Sequence, residues 1–136
     1  MSGKRVIVHS LDHARAALAA ARDLKVPVTL ASARGAGGYM GSLWFKALIE
    51  TARADFPGVA VAAVLDCGDE AGTTLAALRH GLKRVRFTGD ETALAPLREI
   101  ARELGAEIET GAEPDALDLL DEADPEAAAR THLGRP

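Results

Sequence analysis

The sequence predicts an α/β protein: a five-stranded parallel sheet with helices on its faces, open and doubly wound. Short β-branched runs alternate with Ala/Leu-rich helical patterns, a strand-helix rhythm that recurs roughly every 25 residues. Units of that kind, taken in order, imply right-handed crossovers in a parallel sheet. Only five of the 136 residues are aromatic (Tyr39, Trp44, Phe45, Phe56 and Phe87). The core is therefore built from Ala, Val, Leu and Ile, as buried parallel strands and helix stripes usually are.

The elements follow from local pattern. Residues 5–10 (RVIVHS) read as a strand with a polar C-terminal end. Residues 11–24 read as a helix with Ala14, Ala17, Leu18, Ala21 and Leu24 at helical spacing and Asp12 as its N-cap. Pro27 opens a second strand, where proline is tolerated at the entrance. A glycine-rich loop follows, then a helix over 42–56 stopped by Pro57-Gly58. Residues 59–67 form the most apolar segment and the expected central strand. A helix over 70–82, a strand over 84–88, a helix over 90–104 and a short edge strand over 106–110 complete the alternation. The basic run Lys83, Arg84, Arg86 suits a helix C-terminus. Residues 114–123 read as an acidic helix and the last six residues as a frayed end. Residues 1–112 are thus the α/β core, and 113–136 an acidic C-terminal helix and tail. A flavodoxin-type or Rossmann-like order needs only five strands. The alternative is half a TIM barrel completed by dimerisation.

Composition limits the function classes. Hydrophobic residues make up 48% of the chain and mean hydropathy is +0.02, values of a globular chain. The net charge of −4 is uneven: residues 1–102 carry 14 Lys+Arg against 10 Asp+Glu, and residues 103–136 carry 2 against 10. A chain this close to neutral has no electrostatic case for nucleic acid. No apolar run approaches the roughly 20 residues of a membrane span, so neither nucleic acid nor membrane is an expected partner. The single cysteine, Cys67, excludes an intrachain disulfide framework and a CxxC pair. With no signal-like leader at the N-terminus, a cytoplasmic location is expected.

Ligands of parallel α/β sheets sit at the C-terminal ends of the strands. There the sequence places His9, Ser10, Asp12, His13, Ser32, Arg34, Asp66, Cys67, Asp69, Glu70, Thr88, Asp90, Glu109 and Thr110. Asp66 ends an apolar strand, where an unpartnered charge is costly. It is read as a catalytic carboxylate with His9 and Asp69, or else as a carboxylate bonded to the backbone of the strand-helix turn. Asp69 has the competing role of N-cap. His9, His13 and Asp66 are a conceivable metal set, although no HExxH-type motif is present. Cys67 is either a thiolate nucleophile aided by a helix N-terminus or a small buried residue. His80 and His132 are expected to face solvent. No lysine lies at a strand's C-terminal end, which speaks against a Schiff base. There is no nucleophile elbow and no Walker sequence.

Residues 32–45, SARGAGGYMGSLWF, carry glycines at 35, 37, 38 and 41. The dinucleotide fingerprint fails because Met40 stands at its third glycine, and the run follows the second strand. The parts of an anion cradle remain: glycine amides free to converge, a helix start at Ser42 and the charge of Arg34. Arg34, Gly35, Gly37, Gly38, Gly41, Ser42 and Thr88 are accordingly the expected ligand-binding residues. Tyr39, Met40, Trp44 and Phe45 form an apolar patch, read as a lid over the ligand or an interface with another subunit. A passive bend is the third reading.

DCGDEAGTTLAALRHGLKRVRFTGD (residues 66–90), with the opening VIVHSLDHARAALAAA (residues 6–21), resembles strand-helix units of TIM-barrel sugar-phosphate enzymes of the class II aldolase kind. The resemblance implies a metal held by a histidine and aspartates at strand ends. The family's full set of metal-binding histidines is not found here. The reading is then a cytoplasmic protein binding a phosphorylated or carboxylated metabolite, with lyase- or isomerase-like proton transfer, and an expected homo-oligomer. The rival readings are a non-catalytic homo-oligomeric binding or regulatory module and a redox or acyl-transfer protein using Cys67. The cofactor is left unknown.

Overall fold

The computed structural model describes residues 3–136. Twelve elements follow in chain order: β1 (Lys4–Ile7), α1 (Leu11–Leu24), β2 (Val28–Ala31), α2 (Ala36–Tyr39), α3 (Ser42–Ala54), β3 (Val61–Asp66), α4 (Ala71–Arg79), β4 (Arg84–Arg86), α5 (Glu91–Glu103), β5 (Glu107–Glu109), β6 (Ala116–Asp118) and α6 (Pro125–Leu133). The α/β class stands, but among the described residues the sheet has six strands, not five, in the order β5-β4-β3-β2-β1-β6. The first five strands step in one direction without reversal. A doubly wound sheet reverses its order once, at a switch point, so that expectation is corrected in favour of a barrel-like order.

The chain divides into two compact units. The first comprises residues 1–31, 47–63 and 114–136. Within it β1 runs parallel to β2, with Val6 opposite Leu30, and parallel to β6, with Val6 opposite Leu117. Helix α1 starts where Ser10 Oγ accepts from the His13 amide at 3.1 Å, so Ser10 and not Asp12 is the N-cap. Asp12 falls in the first turn, where a carboxylate still suits the helix dipole. Buried Ala14, Ala17, Ala20 and Ala21 give α1 a small-residue face, and α1 packs against α6.

The acidic segment is the largest departure in this unit. Residues 114–123 form no helix; they supply β6, and just past its end the Leu119 amide donates to the Ile7 carbonyl at 3.1 Å. The final helix begins later, at Pro125, with Asp124 accepting from the Ala127 amide. Proline at the first turn with an aspartate before it is a start signal that the acidic run concealed. The expected frayed end is helical to Leu133, which is buried. His132, expected in solvent, bonds through Nε2 with the Arg5 carbonyl at 3.1 Å.

The second unit comprises residues 32–46 and 64–113. Strand β4 runs parallel to β3, with Asp66 opposite Arg86, and to β5, with Arg86 opposite Glu109. The expected open glycine loop contains a helical turn, α2. Gly37 serves close approach: a Cβ there would lie 3.1 Å from both Cys67 Sγ and Thr73 Cγ2. Phe45, expected on the lid or interface, is 1% exposed and belongs to the core with Leu65, Val85 and Phe87. Asp69 does not cap α4: Glu70 is the cap residue, with no side-chain bond to the helix.

Candidate functional site

In the first unit the C-terminal ends of β1 and β6 present a histidine pair and a carboxylate. His9 Nε2 lies 2.6 Å from Asp118 Oδ1. That oxygen also accepts from the Leu120 amide at 2.9 Å. The His9 amide donates to His13 Nδ1 at 3.1 Å, and the two rings meet edge to face with centroids 5.7 Å apart. An ionised carboxylate only accepts, so Nε2 of His9 carries the hydrogen in this pair, and the neutral ring keeps its lone pair on Nδ1. Asp118 thus fixes the tautomer of His9, as the aspartate of a catalytic triad does for its histidine. The His9 side chain is 20% exposed and that of Asp118 49%. His13 is held below its ordinary value of 6.5, first by burial and then by the neighbouring His9, against the opposing pull of Asp118 and Asp12.

Sequence reasoning missed Asp118 because it was placed on an acidic helix. The signal was the stretch ALDLL after Pro114, where a lone carboxylate interrupts an apolar run.

In the second unit Asp66 is spent on the fold. It is buried, and its Oδ1 accepts from the amides of Gly35 at 3.0 Å and Gly68 at 2.8 Å. Its Oδ2 faces Arg86 Nε at 3.6 Å, and its amide donates to Ser32 Oγ at 2.9 Å. Arg86, also buried, donates to Glu109 Oε1 at 3.2 Å and to the Gly111 carbonyl. The basic residue assigned to a helix end is therefore the buried counter-charge of two strand-end carboxylates. An arginine inside the apolar run VRF demands such partners, and that was the available signal.

The other expected site residues divide by environment. Arg34 Nη2 donates to Glu113 Oε2 at 2.8 Å. Ser42 Oγ bonds with His80 Nδ1 at 2.5 Å, so His80, though exposed, has a partner. The Thr88 amide donates to the Gly68 carbonyl at 2.8 Å. Asp69 is exposed and Met40 half-buried. Tyr39 and Trp44 are exposed, joined by Leu43, which the sequence reading left out. Cys67 is fully buried, and burial pushes its thiol up to about 11, so its reading as a thiolate nucleophile is corrected to that of a packed core residue.

The metal set His9, His13 and Asp66 does not fit. His13 Nδ1 already accepts an amide, and the Asp66 carboxylate is held by two amides and an arginine. Among the described residues no group of three His, Cys, Asp or Glu side chains is disposed to hold a metal ion. Nor, among the described residues, is any helix long and apolar enough to cross a membrane.

No protein-family profile matches the chain. Two curated proteins of Cereibacter sphaeroides do: fructose-bisphosphate aldolase 1, 30% identical over 82 residues, and fructose-bisphosphate aldolase 2, 28% identical over 82 residues. The chain resembles aldolases. Those matches cover 60% of this chain but only 22% and 23% of the two aldolases, so the chain spans less than a quarter of their length. Among solved structures, the YdjI aldolase from Escherichia coli K12 superimposes with a TM-score of 0.61 at 19% identity, over 98% of this chain and 52% of that one. A proposed fructose-1,6-biphosphate aldolase from Coccidioides immitis gives 0.66 at 16% identity, over 80% of this chain and 45% of that one. At such identities the likeness is one of fold. The aldolase-like neighbours fit the half-barrel reading of the sheet.

Proposed function

We propose that this chain is a metabolite-binding, lyase-like protein whose chemistry is proton transfer, acting on a phosphorylated or carboxylated compound. The observation that carries the proposal is the His9–Asp118 pair: a ring oriented by a carboxylate, with its second nitrogen available as a base. The aldolase resemblance supplies the substrate class, since the curated relatives are named for a sugar bisphosphate. No step is routed through a metal, because the expected ligands do not fit one.

The test is solvent-proton exchange. Dihydroxyacetone phosphate incubated with the protein in D2O should gain deuterium at its carbinol carbon, followed by NMR. His9→Ala should abolish the exchange and Asp118→Asn should slow it, with both variants folded by circular dichroism. Exchange that is absent in the wild-type protein, or unchanged in His9→Ala, overturns the proposal.

The anion-binding reading of Arg34 is a separate claim, made for the second unit alone. Its support is an exposed guanidinium beside the glycine turn. A non-catalytic homo-oligomeric module is favoured by one observation, the exposed apolar trio Tyr39, Leu43 and Trp44. Light scattering decides it: a dimer that Trp44→Ala converts to a monomer supports that reading, and a wild-type monomer removes it.

A further inference from the structure

Residues 110–113 leave β5 as a short strap, and three arginines of the second unit hold it. Arg98 Nη2 donates to Thr110 Oγ1 at 3.4 Å. Arg86 Nη2 donates to the Gly111 carbonyl. Arg34 Nη2 donates to Glu113 Oε2 at 2.8 Å. These three holds differ in kind. Arg86 is buried and locked between Asp66 and Glu109, so the strap is anchored at Gly111. At the far end the Arg34 side chain is 79% exposed and that of Glu113 is 36% exposed, so water and salt reach this pair and weaken it. Between anchor and tip, Gly111 sits at φ +81°, a backbone conformation that glycine adopts without strain. The strap is fixed at Gly111, and its releasable part is the Glu113 side chain.

The Glu113 carboxylate also has the chemistry of the ligand expected at Arg34. A guanidinium takes carboxylate and phosphate oxygens through the same N–H donors. We propose that Glu113 is a built-in competitor: its side chain occupies Arg34 until a phosphate or carboxylate ligand displaces it, and the Glu113 carboxylate then turns away into solvent. This deepens the reading of Arg34 as the anion's counter-charge and rests on it. The latch weakens binding modestly, and its effect fades with salt, because an exposed ion pair commands only about a two- to fivefold change in affinity.

Calorimetric titration with inorganic phosphate at low ionic strength tests the latch on the full chain. Glu113→Gln should bind phosphate about two- to fivefold more tightly than the wild type. Asp115→Asn removes one acidic charge two residues away from an exposed side chain, and should bind as the wild type does. Arg34→Ala should weaken binding and erase the advantage of Glu113→Gln in the double variant. Should wild type and Glu113→Gln bind alike, or Asp115→Asn gain as much, the latch is wrong while the anion site stands. Should none of the proteins bind phosphate, the anion site and the latch fall together.

Discussion

Two polar clusters at strand C-terminal ends have opposite characters. In the second unit Asp66, Arg86 and Glu109 are packed into one another, with Asp66 and Arg86 buried and every described partner supplied by the chain itself. In the first unit His9 and Asp118 meet at a half-open surface, and the histidine keeps an acceptor in reserve. A buried carboxylate whose oxygens already face two amides and a guanidinium has little bonding capacity left for a ligand. Chemistry at a strand end thus depends less on which residue stands there than on whether its bonding capacity is already used.

Breaking the saturated cluster should give the largest effect. Arg86→Met takes the buried guanidinium away from buried Asp66 and should cost about 3–5 kcal/mol in urea unfolding, the usual penalty for stranding a buried charge. A loss under 1 kcal/mol would mean that the cluster is not structural. Gly37→Ala comes next. Its Cβ would press on Cys67 and Thr73 at 3.1 Å, and overpacking of this kind costs about 1–3 kcal/mol. Ser10→Ala removes the side-chain cap of α1 beside His13 and should cost about 1 kcal/mol.

The open cluster should respond through pH. His13 titrates below 6.5 in the folded chain, so the native state prefers its neutral ring. Stability from this group is complete above pH 6.5 and is lost as the pH falls through the lowered folded value. NMR titration of its ring protons should give a midpoint under the ordinary histidine value, and His9→Gln should bring it back towards that value. A midpoint at or above the ordinary value would contradict the geometry. The smallest effect belongs to Cys67: iodoacetamide at pH 8 should modify the native thiol far more slowly than a denatured control, since its pKa is about 11.

The strand-helix alternation was legible through β5 because each segment announced its own period. What failed was anything that depended on pairing. β6 is three residues long inside an acidic run, and only the partner strand β1 makes it a strand. The strand order, which separates a barrel-like sheet from a doubly wound one, leaves no mark on local pattern. At the candidate site His9 was legible from its place at a strand end. Its partner Asp118 was not, because the two residues are 109 positions apart. The glycine turn was seen as a special backbone feature, but the amides at 35 and 68 turn towards Asp66 of the same chain.

The pairing of β1 with β6 has a consequence for synthesis. Of the described strands, the first to be synthesised borders the last, and Leu119, fully buried, bonds to Ile7 across that border. The first unit therefore waits for residues 116–118 before β1 has both neighbours, and until then one rim of β1 is open to stray association. A chain stopped at residue 113 would keep that rim uncovered permanently.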